Sequence, residues 1–231
     1  MKTMKHVMGF DLDGRGVKSK KGVESKEISI VIPRIEIKQA TIKIIGDSPL
    51  ITHKWAFKTI KQLRDKHAKK AVQVKEARNP FNEFLESMYW LSEPEDFSNI
   101  KMSDLKKYKF GIPTSAFKGT AVNACSFVDG ITKVIARGAF QVVGDFAELK
   151  SDPPVMRSDM ARIARLTPQE RYRGQFNNWS CNIVLRFNPL VLSAEQLINL
   201  FNVAGFHVGV LEMRPQGKTT SFGFGMFHVE L

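Results

Sequence analysis

The chain is short of several residue types, and each shortage narrows what it can be. Only two of its 231 residues are cysteine, Cys125 and Cys181. One bridge between them is geometrically possible, but a disulfide scaffold is excluded, and two isolated thiols suit a reducing cytosol. No apolar run approaches the roughly 18 residues that a membrane-spanning helix needs. The first residues, Met1 to Met8, carry charge without an apolar stretch, which argues against a secretory leader. A cytoplasmic protein with no membrane partner is the expectation. No GxxxxGK(S/T) loop is present, so nucleotide hydrolysis has no support. The histidines, His6, His53, His67, His207 and His228, never fall at metal-ligand spacing with another His or Cys. That pattern predicts no zinc site and no cofactor. Asp11, Asp13 and Gly14 resemble the start of a calcium loop, but no acids follow at the required spacing. There is no internal repeat and no low-complexity tract.

Acidic residues are the scarce charge. Lys+Arg number 35 against 23 Asp+Glu, a net charge of +12, with a sequence pI near 9.7. Hydrophobic residues make up 43%, which is ordinary for a globular protein and leaves the basic excess as the unusual feature. It favours an anionic partner, nucleic acid before an acidic membrane surface. Residues 1–78 carry 19 Lys/Arg and 8 Asp/Glu, so the first third holds nearly all of the excess. A second cluster, Arg157, Arg162, Arg165, Arg171 and Arg173, lies within seventeen residues. Guanidinium forks match phosphate oxygens and stack on bases, and Tyr172, Phe176 and Trp179 interleave aromatic surface with the charge. The alternative is that Arg162 and Arg165 pair with Asp159 or Glu170 in a structural network.

Hydrophobic spacing suggests the following order. Residues 9–27, glycine-rich and charged, read as an arm. Isoleucines at 28–32 and 35–45 predict strand with a bulge near Gln39, ended by Gly46–Pro49. Residues 53–78 have helical composition, with Trp55, Ile60 and Leu63 among lysines and arginines. Residues 79–110 are acidic and aromatic and read as an irregular or helical insertion. Thr114 or Ser115 is the expected cap of a helix running to about Val128. Residues 133–149 read as strand broken by a hairpin turn, and 150–178 as a long loop with one short helix. Residues 181–187 are a buried strand. Ser193 and Gln196 form a capping-box pattern for a helix ending at Gly205. Two strands, 206–213 and 222–230, complete the chain.

Stripped of insertions, that order is βαββαβ: an α+β protein with a ferredoxin-like, RRM-like core. Such a fold leaves one sheet face open, and RNA-recognition domains stack bases on it. Phe222, Gly223, Phe224 and Phe227 partly match the RNA-recognition consensus. Phe222, Phe224 and Met226 would share a strand face, as base platforms or as core.

Ile112-Pro-Thr-Ser-Ala-Phe-Lys-Gly119 resembles the I-P-x-S-S-L-K-G helix start of the RAMP superfamily, which supplies the backbone subunits of type I and type III CRISPR effector complexes. The ending Gly209, Arg214-Pro215, Gly217 and Phe222-Gly-Phe-Gly225 is similar to that superfamily's C-terminal glycine-rich segment. The stretches 110–149 and 155–230 also resemble an uncharacterised prophage protein, which implies a phage or prophage origin. The resemblance implies a single domain over 1–231, a basic helical insertion at about 47–111, and a thumb-like arginine-rich insertion at about 150–180. It implies Lys118 as a phosphate contact.

These readings together predict a non-enzymatic, single-strand nucleic-acid-binding protein, RNA or DNA, that repeats along the strand. Self-association and other effector-complex subunits are the expected partners. The expected contacts are Lys54, Lys58, Lys61, Arg64, Lys69, Lys70, Lys118, Arg157, Arg162, Arg165, Arg171, Tyr172, Arg173, Arg214 and Lys218. Two alternatives stay open: a metal-independent ribonuclease using His53, and a phage-encoded mimic that inhibits a host complex.

Overall fold

The structure, a computed structural model, describes residues 34–69, 77–92, 94, 97–163, 167–217 and 221–230. The predicted arm at 9–27 and strand at 28–32 lie outside these residues. Contacts divide the chain into Met1–Arg34 and Ile35–Leu231, and every element below belongs to the second unit.

The chain runs through strands β1 (Lys38–Gly46) and β2 (Leu50–Thr52), then helices α1 (Phe57–His67) and α2 (Pro80–Glu86). Strand β3 (Phe110–Pro113) leads directly into α3 (Thr114–Ala124). Helix α4 (Lys133–Ala139) precedes β4 (Phe140–Val142) and β5 (Phe146–Lys150). Strands β6 (Val155–Ile163), β7 (Thr167–Phe176) and β8 (Ser180–Phe187), helix α5 (Ala194–His207) and β9 (Phe227–Glu230) follow. One antiparallel sheet has the order β3-β5-β8-β1-β9, with β4 also on β8. A second has the order β2-β7-β6. The architecture is α+β with antiparallel sheets.

Alternation places the core. Ile42 and Ile44 of β1 and Cys181, Ile183, Leu185 and Phe187 of β8 point inward and are buried. They meet the buried faces of α3 and α5: Phe117 stacks edge-on to Phe227 at 5.7 Å, and Phe140 to Phe201 at 5.9 Å. The opposite sheet face is polar. Thr41, Lys43, Asn182, Arg186, His228 and Glu230 lie exposed on it, and Lys43 pairs with Glu230 at 2.8 Å. Along β1, β8 and β9 this face carries no Phe, Tyr or Trp, so the expected base-stacking platform is absent there.

Several expectations need correction. Strand β1 pairs with β8 in unbroken register, with no bulge at Gln39, and Ile35 and Ile37 precede it as exposed residues. Residues 133–139 are helical, because the Thr132 hydroxyl accepts from Ile135 N at 3.2 Å and starts α4. Pro113, not Thr114 or Ser115, occupies the cap of α3, while the Thr114 hydroxyl donates back to the Gly144 and Asp145 carbonyls. Residues 150–178 form the β6–β7 hairpin rather than a loop. Residues 206–213 do not form a strand. Helix α5 continues to His207, and only Glu212 bridges to Ile51. Of 222–230, only Phe227–Glu230 is strand. The capping box holds: the Ser193 hydroxyl accepts from Gln196 N, and the Gln196 side chain accepts from Ser193 N.

Helix α5 lies directly against β9 at Gly205, where an added Cβ would sit 1.7 Å from the Phe227 carbonyl oxygen. Gly119 on α3 faces open space. Gly205→Ala is therefore expected to destabilise by about 1–3 kcal/mol through forced overpacking. Gly119→Ala should stabilise by about 0.5–1 kcal/mol through helix propensity. Urea denaturation checks both, and equal effects would contradict the packing.

Candidate nucleic-acid interface

The hairpin has two faces of different chemistry. On one, Arg157, Asp159, Arg171 and Arg173 lie side by side, since Arg157 pairs across the strands with Arg173 and Asp159 with Arg171. Asp159 is shared between two guanidiniums. Arg157 Nε donates to it at 2.9 and 3.0 Å, and Arg173 Nη1 at 3.1 Å. Arg157 also donates to Gln175 at 3.2 Å and lies 4.6 Å over the Phe224 ring. On the other face, Tyr172 is covered by Arg78 at 5.7 Å. Arg78 in turn donates to the Glu170 carbonyl at 2.7 Å and pairs with Glu83. Hydrogen bonds from Ser158 and then Tyr172 hold the Glu170 carboxyl below its usual range.

Arg173 is only 5% exposed. Its Nε donates to His53 Nδ1 at 3.1 Å, and its Nη1 also reaches Met213 Sδ at 3.7 Å. It is an internal tie rather than a free phosphate contact. His53 then has Nδ1 as acceptor, and its remaining proton sits on Nε2. Burial first, and the Arg173 charge second, lower its pKa below 6.5. With Nδ1 engaged by Arg173, Nε2 is the ring nitrogen left to meet any other group.

His53 borders a cavity of about 280 Å³ with Tyr89, Ser115, Gly119, Asn123, Glu212 and Arg214. One wall is the exposed side of α3, and the other is the connection from α5 to β9. That connection is strained: Leu211 and Met213 have φ of 63° and 55°, each costing about 1 kcal/mol or more for a side-chain-bearing residue. Hydrogen bonds hold it there, from the Thr120 hydroxyl to Gly209 O at 2.9 Å and from Arg214 Nη1 to Leu211 O at 2.8 Å. Arg214 therefore both holds the loop and lines the cavity.

Lys118 serves the fold. Its ammonium donates to the carbonyls of Ala136 and Arg137 at 3.1 Å each, and to that of Phe140, at the C-terminal end of α4. It lies 3.7 Å over the Phe140 ring, and burial pushes its pKa down to about 8. The residue to which the helix-start resemblance assigns a phosphate contact is thus bonded here to the carbonyl groups that end α4.

Directly after His53 the chain turns outward. Lys54 N donates to Ser87 O at 2.8 Å, and α1 begins at Phe57 without a side-chain cap. Lys54, Lys61, Arg64, Lys66 and Lys69 are all exposed. Arg64, Lys66 and His67 fill the last turn, where positive charge suits the helix dipole. Lys70, Arg165 and Lys218 lie outside the described residues, as do the side chains of Lys58 and Arg162. Lys54, Lys61, Arg64 and Lys69 thus lie exposed in one stretch that follows His53, and Arg157, Arg171 and Arg173 gather on one hairpin face.

Tyr89 and Glu212 were not read as site residues, and Asp159, expected to pair with Arg162 or Arg165, instead accepts from Arg157 and Arg173. The signal for Asp159 was its two-residue spacing from Arg157, which places both on one face once the segment is recognised as strand. Among the described residues no group of His, Cys, Asp and Glu could hold a metal ion, and no helix is long and apolar enough to cross a membrane.

No protein-family model matches the chain, and no curated protein matches it. Among solved structures, the crystal structure of Cmr6 from Pyrococcus furiosus is loosely similar, with a TM-score of 0.40 and 11% identity, covering 84% of this chain and 98% of that one.

The lowered pKa of His53 sets a pH dependence. Unfolded chain protonates it near 6.5, folded chain only below that, so the stability it supports is present above about pH 6.5 and is lost as pH falls through the folded value. Thermal midpoints measured from pH 7.5 down to 5 should fall in the wild type, and His53→Gln should flatten the decline. An equal decline in the variant would contradict the Arg173–His53 contact.

Proposed function

We propose that this protein binds single-stranded nucleic acid along α1 and the mouth of the His53 cavity, as a RAMP-like protomer. The observation that carries the reading is the exposed basic face of residues 54–69. Lys54, Lys61, Arg64, Lys66 and Lys69 stand in solvent, and Asp65 is the one acid in that stretch. An arrangement with so little internal neutralisation suits a polyanion, whose condensed counterions are released on contact.

Two features support the RAMP-like part. If β4 and β5 are counted as halves of one interrupted strand, the core sheet runs fourth-first-third-second with α3 and α5 as its crossover helices, which is the ferredoxin-like order. The insertions fall after the first core strand and between the second and third, and Ile112–Gly119 resembles the superfamily's helix start. Assembly of protomers along the strand is part of the proposal. Strand β6 is the outer edge of its three-stranded sheet, and such an edge offers unpaired backbone groups to a neighbour.

The test is an anisotropy titration of labelled oligouridine and oligothymidine over a range of salt, with particle size followed on a long single strand. Lys61→Ala with Arg64→Ala should weaken binding to both sequences alike and reduce the salt slope by about 0.7 per lost contact. Complex size should grow stepwise with strand length. Affinity at low salt equal to wild type would remove α1 from the interface, and a single protomer on every strand length would remove assembly.

A further inference from the structure

We infer that Trp55 and Phe57 are base-stacking residues, a role that rests on the nucleic-acid reading above and names the side chains that grip the bases. The chain has three tryptophans. Trp90 and Trp179 are 9% and 1% exposed, and each donates its ring N–H to a backbone carbonyl, of Leu85 at 2.8 Å and of Ser48 at 2.7 Å. Trp55 is 61% exposed and Phe57 is 70% exposed. Large rings left in water at adjoining positions are unusual for a chain whose other large aromatic side chains so often pack inside.

Their neighbours say what would cover them. Phe57, Lys61 and Arg64 are spaced by four and three residues, so on α1 they share one stripe in which a ring is followed by two cations. Lys54 precedes Trp55 and is exposed beside it. An apolar protein partner would be met by a surrounding field of positive charge, whereas a single strand offers phosphates to the cations and flat bases to the rings. That combination, cationic groups tracking a backbone with aromatic rings between them, is how sequence-tolerant single-strand binding works. Trp55 stands two residues after His53, which lines the cavity.

Burial of the other two tryptophans makes the test direct. Unlabelled oligouridine or oligothymidine added to the full chain should quench tryptophan emission along the same curve that anisotropy of the labelled strand reports. Trp55→Phe should abolish the quenching and keep most of the affinity. Trp55→Ala should weaken binding by roughly 5- to 150-fold. Binding by anisotropy with unchanged emission, or Trp55→Ala binding as wild type, overturns the stacking role and leaves the α1 interface standing. No binding in either readout overturns the nucleic-acid reading and the stacking role together. Quenching by vesicles of anionic lipid but not by either oligonucleotide assigns the rings to a membrane surface and also overturns the proposal.

Discussion

Arg173 is the one charged side chain buried among the described residues, and much of the molecule is arranged around that fact. A guanidinium removed from water needs a counter-charge and acceptors for its fork, or its burial is prohibitive. It finds them on three segments distant in sequence: Asp159 on β6, His53 after β2, and Met213 on the strained connection. Depriving a buried charge of its partner typically costs about 3–5 kcal/mol, a large share of a domain's whole stability. The hairpin, the root of α1 and the cavity rim therefore stand or fall together.

Fixing His53 fixes where α1 leaves the body. Beyond that root, none of the described side chains of α1 is buried. A helix of eleven residues is marginal in isolation, and the basic charge of its last turn suits the helix dipole. Its rings and cations are consequently presented outward. The rigid network and the exposed arm divide the labour: the buried arginine positions, and the solvated lysines and aromatic rings are left available for contact.

Local signals carried well from sequence to structure, and long-range ones did not. The Ser193–Gln196 box depends only on residues three apart and was legible. So was the α+β class, because strand and helix periods alternate around Ile42–Ile44, Phe117, Ile183 and Leu200. The β6–β7 hairpin was hidden because its pairing is made by charge and backbone, as in Asp159 opposite Arg171, rather than by alternating apolar residues. Val208, Val210 and Leu211 look like a strand, yet no ladder forms around them. Val210 N donates to Gly225 O, Gln216 N donates to Val208 O, and Arg214 holds the Leu211 carbonyl. At the site, Lys54, Lys61, Arg64 and Lys69 were readable as an exposed basic run. The internal roles of Arg173 and Lys118 were not, since each depends on acceptors far along the chain.

The central claim is that the strand runs over residues 54–69 beside the His53 cavity. Photocrosslinking of a thiouridine-substituted oligonucleotide to the full chain, followed by peptide mass spectrometry, tests it most directly. The account predicts crosslinked peptides containing Trp55 and Phe57, with further crosslinks at the cavity mouth near Tyr89 or Arg214. Crosslinks confined to the polar sheet face around Lys43, Asn182 and Arg186, with none in residues 54–69, would contradict it.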